Sequence, residues 1–231
     1  MRNRKSVNIK RKTIALEEAL TAISIDFEGK KIVNGKVPDQ LLLGAWGPFG
    51  IKGQYQYQGW IIHPMLKPIT KCSALNAELE FCTIETALNA ILEKAEEYNS
   101  LISCYSEHEI KVIRAKAPTF EEEVLEKLVN IRQIAKSAAK HKGVYQKPFS
   151  LDKALTAMSV RNIDKSQLRY KMAQYDTDLI KAGETSKRWG NWKSHQKEKA
   201  IELVKYNKAD VKNSWKLLKK SCMVNELHES R

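Results

Sequence analysis

The hydrophobic period changes once along this chain, and that change constrains its fold more than any other feature. Up to about residue 62 the apolar residues fall in short alternating or continuous runs, and from residue 83 they recur at helical spacing. ISIDF, residues 23–27, alternates apolar and polar, while LLLGAW, residues 41–46, is a continuous apolar run. QYQYQGWII, residues 54–62, sets Gln54, Gln56 and Gln58 on one face and Tyr55 and Tyr57 on the other. These are the patterns of half-buried and fully buried strands. The links between them, including PDQ and GPFGIKG, are short and rich in turn residues, so the three strands are expected to form an antiparallel meander. TIALEEALTA, ahead of them, predicts a short helix.

Residues 83–98 place Ile84, Leu88, Ile91 and Leu92 on one helical face, with Thr83 as N-cap. LISCY, residues 101–105, reads as a buried fourth strand that runs into a helix capped by Ser106. Strand, helix, strand, helix is the order of an α/β sheet. Beyond it the chain is mostly helical. Thr119 and Glu122 match a capping box ahead of a run ending near Gly143, within which LVNIRQI fits either helix or a fifth strand. FSLDKALTAM and residues 164–180 predict helices, KAGETSKRWGNWKSHQ a polar loop, and residues 198–221 a long final helix. With no internal repeat or low-complexity linker, the expectation is one domain over residues 13–231 behind a basic arm, residues 1–12.

That arm carries six basic residues and no acid, and the whole chain has 40 Lys and Arg against 27 Asp and Glu, a net charge of +13. Such a balance suits a polyanionic partner, and its concentration in the arm favours nucleic acid. No apolar run reaches the roughly 18 residues that a membrane span requires, and no signal-peptide core follows the arm. A soluble, cytoplasmic protein is therefore expected. Cys72, Cys82, Cys104 and Cys222 have neither zinc-site spacing nor the density of a disulfide scaffold, and read as reduced, buried thiols.

Three places carry candidate chemistry. Asp26 and Glu28 stand two apart in the first strand, so both carboxylates point to one face and Phe27 to the other. Paired carboxylates repel unless solvated or neutralised by cations, and hard divalent ions take such oxygen ligands. Glu107 and Glu109 follow the fourth strand at a helix N-terminus, where acids also suit the dipole. Tyr206 and Asp210, in the final helix, stand one turn apart on one face.

The order of these elements resembles the RNase H-like DEDD 3′-to-5′ exonuclease superfamily, its tyrosine-bearing branch most closely. YNKADV is similar to the Y-N-x-x-D-V helix of predicted RNase H-like nucleases, and FSLDKAL to the S-L-x-x-L helix before it. The resemblance spans about residues 22–219. It implies an α/β fold with an RNase H-like mixed sheet, three antiparallel strands followed by parallel ones, flanked by helices and completed by a helical C-terminal half. It further implies a nuclease that hydrolyses phosphodiester bonds with two Mg²⁺ or Mn²⁺ ions about 4 Å apart. Asp26, Glu28, Glu109 and Asp210 would be the metal ligands, and Tyr206 would orient the attacking water. At the middle motif, where most relatives have aspartate, this chain offers Glu107 or Glu109; the predicted RNase H-like branch often shows a glutamate after a Tyr or His, which favours Glu109. The threonine that usually follows the D-x-E glutamate by two residues is replaced by Lys30.

Single-stranded DNA or RNA is the expected partner. Arg188, Trp189, Trp192 and Lys193 in KRWGNWKSH are the expected strand-binding residues, a basic and aromatic set beside the final helix. Trp46, Trp60 and Trp215 read as core residues. A non-catalytic nucleic-acid-binding protein on the same fold is the rival reading.

Overall fold

The structure is a computed structural model that describes residues 14–30, 32–73, 75, 78–161 and 172–230. The basic arm, residues 1–12, and the first part of the helix expected over 164–180 lie outside the described residues.

Six strands form one mixed sheet in an α/β protein. They are β1 (Ile23–Gly29), β2 (Gln40–Gly47), β3 (Gln56–Ile61), β4 (Glu78–Phe81), β5 (Ile102–Cys104) and β6 (Leu128–Asn130), in the order β4-β3-β2-β1-β5-β6. The first three run antiparallel, as their short links require, while β5 and β6 continue the sheet parallel to β1. Strand β4 is an addition that the sequence pattern does not predict. It pairs parallel with β3, at the outer edge.

Alternation along β1 sorts its side chains between two layers. Ile23, Ile25 and Phe27 join Leu43, Ala45 and Trp60 beneath α2 (Ile84–Glu97) and α3 (His108–Lys116), which contribute Leu88, Ile91, Ile110 and Ile113. On the opposite face Leu42, Trp46, Tyr57 and Ile61 meet Leu203, Val204 and Val211 of the final helix. A third cluster surrounds the later half of that helix, where Leu217, Leu218 and Cys222 pack with Ala19, Ile134, Ala138 and Leu155. These come from α1 (Leu16–Thr21), α5 (Ile131–His141) and α6 (Leu151–Ala157).

Several local expectations shift. Thr83 does cap α2, its hydroxyl accepting from the Thr86 N–H. The run after Thr119 is not one helix: α4 (Glu121–Lys127) starts after a 3₁₀ turn containing Thr119, without a side-chain cap, and ends where β6 begins. Asn130 then caps α5 by accepting from the Gln133 N–H. Residues 181–185 complete α7 (Met172–Thr185), and the final helix, α8 (Ser194–Glu229), is longer at both ends than expected. The four cysteines are free, with Cys82 only partly buried. No helix among the described residues is long and apolar enough to cross a membrane.

Candidate functional site

Asp26 and Glu28 point to the face of β1 that α8 crosses, because Phe27 between them is committed to the opposite core. Helix α8 brings Tyr206 and, one turn later, the buried Asp210 to the same place. Ligand oxygens of Asp26, Glu28 and Asp210 all lie within 4.8 Å of one another. A cavity of about 360 Å³ opens over them and is lined by Asp26, Glu28, Glu109, Tyr206 and Asp210 together. The five residues singled out in the sequence as one catalytic set thus share one cavity, although they come from three separate elements.

Glu109 reaches the cavity from the first turn of α3 and is only 3% exposed. The Ser106 hydroxyl accepts the His108 N–H at 3.0 Å and donates to Glu109 Oε2 at 2.9 Å. Ser106 is not the N-cap expected: Glu107 holds that position without a side-chain cap bond, and Ser106 meets the His108 N–H from one residue before it. Glu107 is exposed and does not line the cavity. Burial pushes the Glu109 carboxyl above the usual carboxylate range, and the Asp26 charge adds to that rise. Glu109 lies outside the trio whose oxygens approach closely.

One residue that holds the site together stands inside the Y-N-x-x-D-V motif but was assigned no role from the sequence. Asn207, between Tyr206 and Asp210 on α8, is fully buried. Its amide Nδ2 donates to the Asp26 carbonyl at 3.1 Å, to Asp26 Oδ2 at 3.1 Å and toward Glu28 Oε1 at 3.5 Å. Its Oδ1 accepts from the Tyr57 hydroxyl at 2.9 Å. Tyr57 is itself held well above the usual phenol range, by burial first and then by the charges of Glu28 and Asp26, so it remains a donor.

Two glycines make this approach possible. Asp26, Gly44 and Gly59 stand side by side across β1, β2 and β3. A Cβ on Gly44 would overlap Asn207 Oδ1, and one on Gly59 would lie 2.8 Å from the Tyr57 hydroxyl. A glycine inside a strand pattern marks such a close approach, and it is the signal, beside the Y-N-x-x-D-V motif, that could have given Asn207 its role. His108 also lines the cavity, with Nε2 3.4 Å from Gln40 Oε1. Burial lowers its pKa, while the Asp26 charge opposes the fall.

The expected strand-binding loop is elsewhere. Tyr206 lies twelve residues into α8, about 18 Å along the axis from the helix start that follows the loop. Arg188 and Lys193 are exposed and Trp189 is partly so. Trp192, however, is 3% exposed, and its indole N–H donates to the Ser186 carbonyl at 3.0 Å. It packs in the core cluster against α8, so it anchors the loop and offers no face for a base. Trp46 and Trp60 are buried as expected, whereas Trp215 is only partly buried.

No protein-family model, curated protein or solved structure matches the chain.

Proposed function

We propose that this protein is a metal-dependent nuclease on an RNase H-like fold, a 3′-to-5′ exonuclease acting on single-stranded DNA or RNA. The observation that carries the reading is the convergence of Asp26, Glu28 and Asp210, with ligand oxygens within 4.8 Å, in a cavity shared with Tyr206 and Glu109. The strand order supports it, since an antiparallel trio followed by two parallel strands is what the sequence resemblance implies; the β4 edge is this chain's own addition.

The donor set fits Mg²⁺ or Mn²⁺. It consists of carboxylate oxygens alone, hard ligands for hard ions, and two of its members are held in register by the Asn207 amide. Asp26, Glu28 and Asp210 would hold the ions, with Glu109 completing the shell. Bound there, divalent ions supply water activation and neutralise charge developing on the phosphate oxygens.

The chain's own residues do the positioning, which phosphoryl transfer needs more than covalent help. The Asn207 amide fixes the Asp26 carboxylate in place through its hydrogen bond to Oδ2. Tyr206, one turn before Asp210 and lining the same cavity, would orient the attacking water through its hydroxyl. Glu109 is drawn toward protonation by burial and by Asp26, and positive charge entering the cavity would draw it back to the carboxylate.

The test is incubation with 5′-labelled single-stranded DNA and RNA in Mg²⁺, Mn²⁺ or EDTA, with Asp210→Asn in parallel. A metal-dependent ladder shortening from the 3′ end, absent in the variant, is expected. Intact substrate in every metal, with binding that the variant retains, would point to the non-catalytic reading instead.

A further inference from the structure

Helix α8 has a second charged flank that the candidate active site does not use. Lys208, Lys212, Trp215 and Lys219 recur at i, i+4, i+7 and i+11, so they share one face. Lys208 is two residues on from Tyr206, roughly 200° around the helix, which sets this face away from the cavity. Each lysine lies over an aromatic ring: Lys208 is 5.8 Å from Tyr57, Lys212 4.5 Å from Trp46 and Lys219 3.4 Å from Trp215. Trp215 also stacks on Tyr55, with centroids 5.1 Å apart and planes at 26°, and both rings are partly exposed.

Among the described residues none of the three lysines forms an ion pair. Lys208 and Lys219 are held below the usual ammonium range by burial against the rings and then by neighbouring lysines. Lys208 and Lys212 stand about 6 Å apart along the helix and Lys212 and Lys219 about 10 Å, with the partly exposed Trp215–Tyr55 stack between the latter two, an arrangement that suits a ligand pairing negative charge with π-faces. A membrane surface lacks the second feature and an acidic peptide lacks it too.

We propose that this flank of α8 is a track for one nucleic-acid strand, with Lys208, Lys212 and Lys219 on phosphates and Trp215 with Tyr55 as the stacking platform. A base settling on Trp215 takes the place that the Lys219 ammonium holds, and frees that ammonium for the adjoining phosphate. The identity of the partner rests on the nuclease reading, while the surface itself does not. It also moves base stacking from the loop at Trp189 to the middle of the helix.

The test is fluorescence anisotropy with labelled (dT)20 and (rU)20 in EDTA, for wild type, Lys212→Glu/Lys219→Glu, the milder Lys212→Gln/Lys219→Gln, and Trp215→Ala. Wild type is expected to bind and to show tryptophan quenching. Both lysine pairs should flatten the slope of log K against log salt by about 1.4, the loss of two phosphate contacts to a single strand. Trp215→Ala should weaken binding about 5- to 150-fold and remove the quenching. The glutamine pair keeps the test decisive if the tryptophan variant does not fold. Wild-type slope and affinity in both lysine pairs would overturn the proposal, as would binding that polyglutamate displaces as readily as oligonucleotide. Binding that maps to this flank in a protein that leaves DNA and RNA intact would keep the track and remove the nuclease reading. Cleavage that depends on Asp210 with binding indifferent to the lysines would do the reverse.

Discussion

The two flanks of α8 handle charge in opposite ways. On one, Asp210 is buried and converges with Asp26 and Glu28, and the Asn207 amide ties the strand acids to the helix. On the other, Lys208, Lys212 and Lys219 rest on aromatic faces without counter-ions among the described residues. Like charges are brought together in both places, but only the acids are locked by directional hydrogen bonds. A fixed geometry suits a site that must hold small, demanding ions, and a looser one suits a polymer whose phosphates move.

Breaking the acid flank should give the largest effect. Asp26→Asn or Asp210→Asn is expected to lower cleavage by about 10²–10³-fold or more, measured in single-turnover assays on labelled strands. Oligonucleotide binding should stay or tighten, because negative charge facing phosphate is removed. Equal loss of binding and cleavage would contradict the contrast between the flanks.

The lock itself can be removed next. Asn207→Ala leaves the buried Tyr57 hydroxyl without its acceptor and the strand acids without their donor, at a cost of roughly 1–3 kcal/mol in chemical denaturation. It should also weaken Mn²⁺ binding measured by calorimetry, which a purely structural loss corrected for the folded fraction would not do. Gly44→Ala attacks the same contact from the strand side. Its Cβ would displace Asn207, so a loss of about 1–3 kcal/mol is expected, with the urea midpoint as readout.

The smallest predicted effect concerns an acid outside both flanks. Asp176 of α7 is 2% exposed, and burial pushes its carboxyl up to about 6 against a weak opposing pull from Lys30. Its folded pKa is raised, so the folded state binds the proton more tightly than the unfolded chain. Stability from that proton is fully present below pH of about 4 and is lost as pH rises through about 6. Asp176→Asn should therefore gain on wild type in melting temperature as pH rises across that window. Parallel pH profiles for the two proteins would contradict the assignment.

Much of this architecture was legible because period and local chemistry agree with it. ISIDF, LLLGAW and the glutamine–tyrosine alternation announce β1 to β3, and Thr83 announces α2. Strand β4 was not legible, since ELEF has two glutamates in four residues and depends on pairing with β3 for its existence. Leu128–Asn130 was half legible: LVNIRQI fits either helix or a fifth strand, and the structure divides it, Leu128–Asn130 pairing parallel with β5 and Ile131 opening α5. At the site, Asp26, Glu28, Glu109, Tyr206 and Asp210 were grouped by the family resemblance, since spacing alone leaves each place a solvated face or a helix-dipole acid, and the five do share one cavity. Asn207 stood inside the Y-N-x-x-D-V motif, but its task was not legible until Gly44 was seen to make room for it. Trp192 failed as a stacking residue for the converse reason: aromatic identity in a polar loop does not tell an anchor from a platform, and only burial does.

The most direct measurement is an anomalous difference map from crystals grown with Mn²⁺. The account predicts density bounded by Asp26, Glu28 and Asp210, lost in Asp210→Asn. A map with no peak in that cavity, or with Mn²⁺ bound only elsewhere, would contradict it.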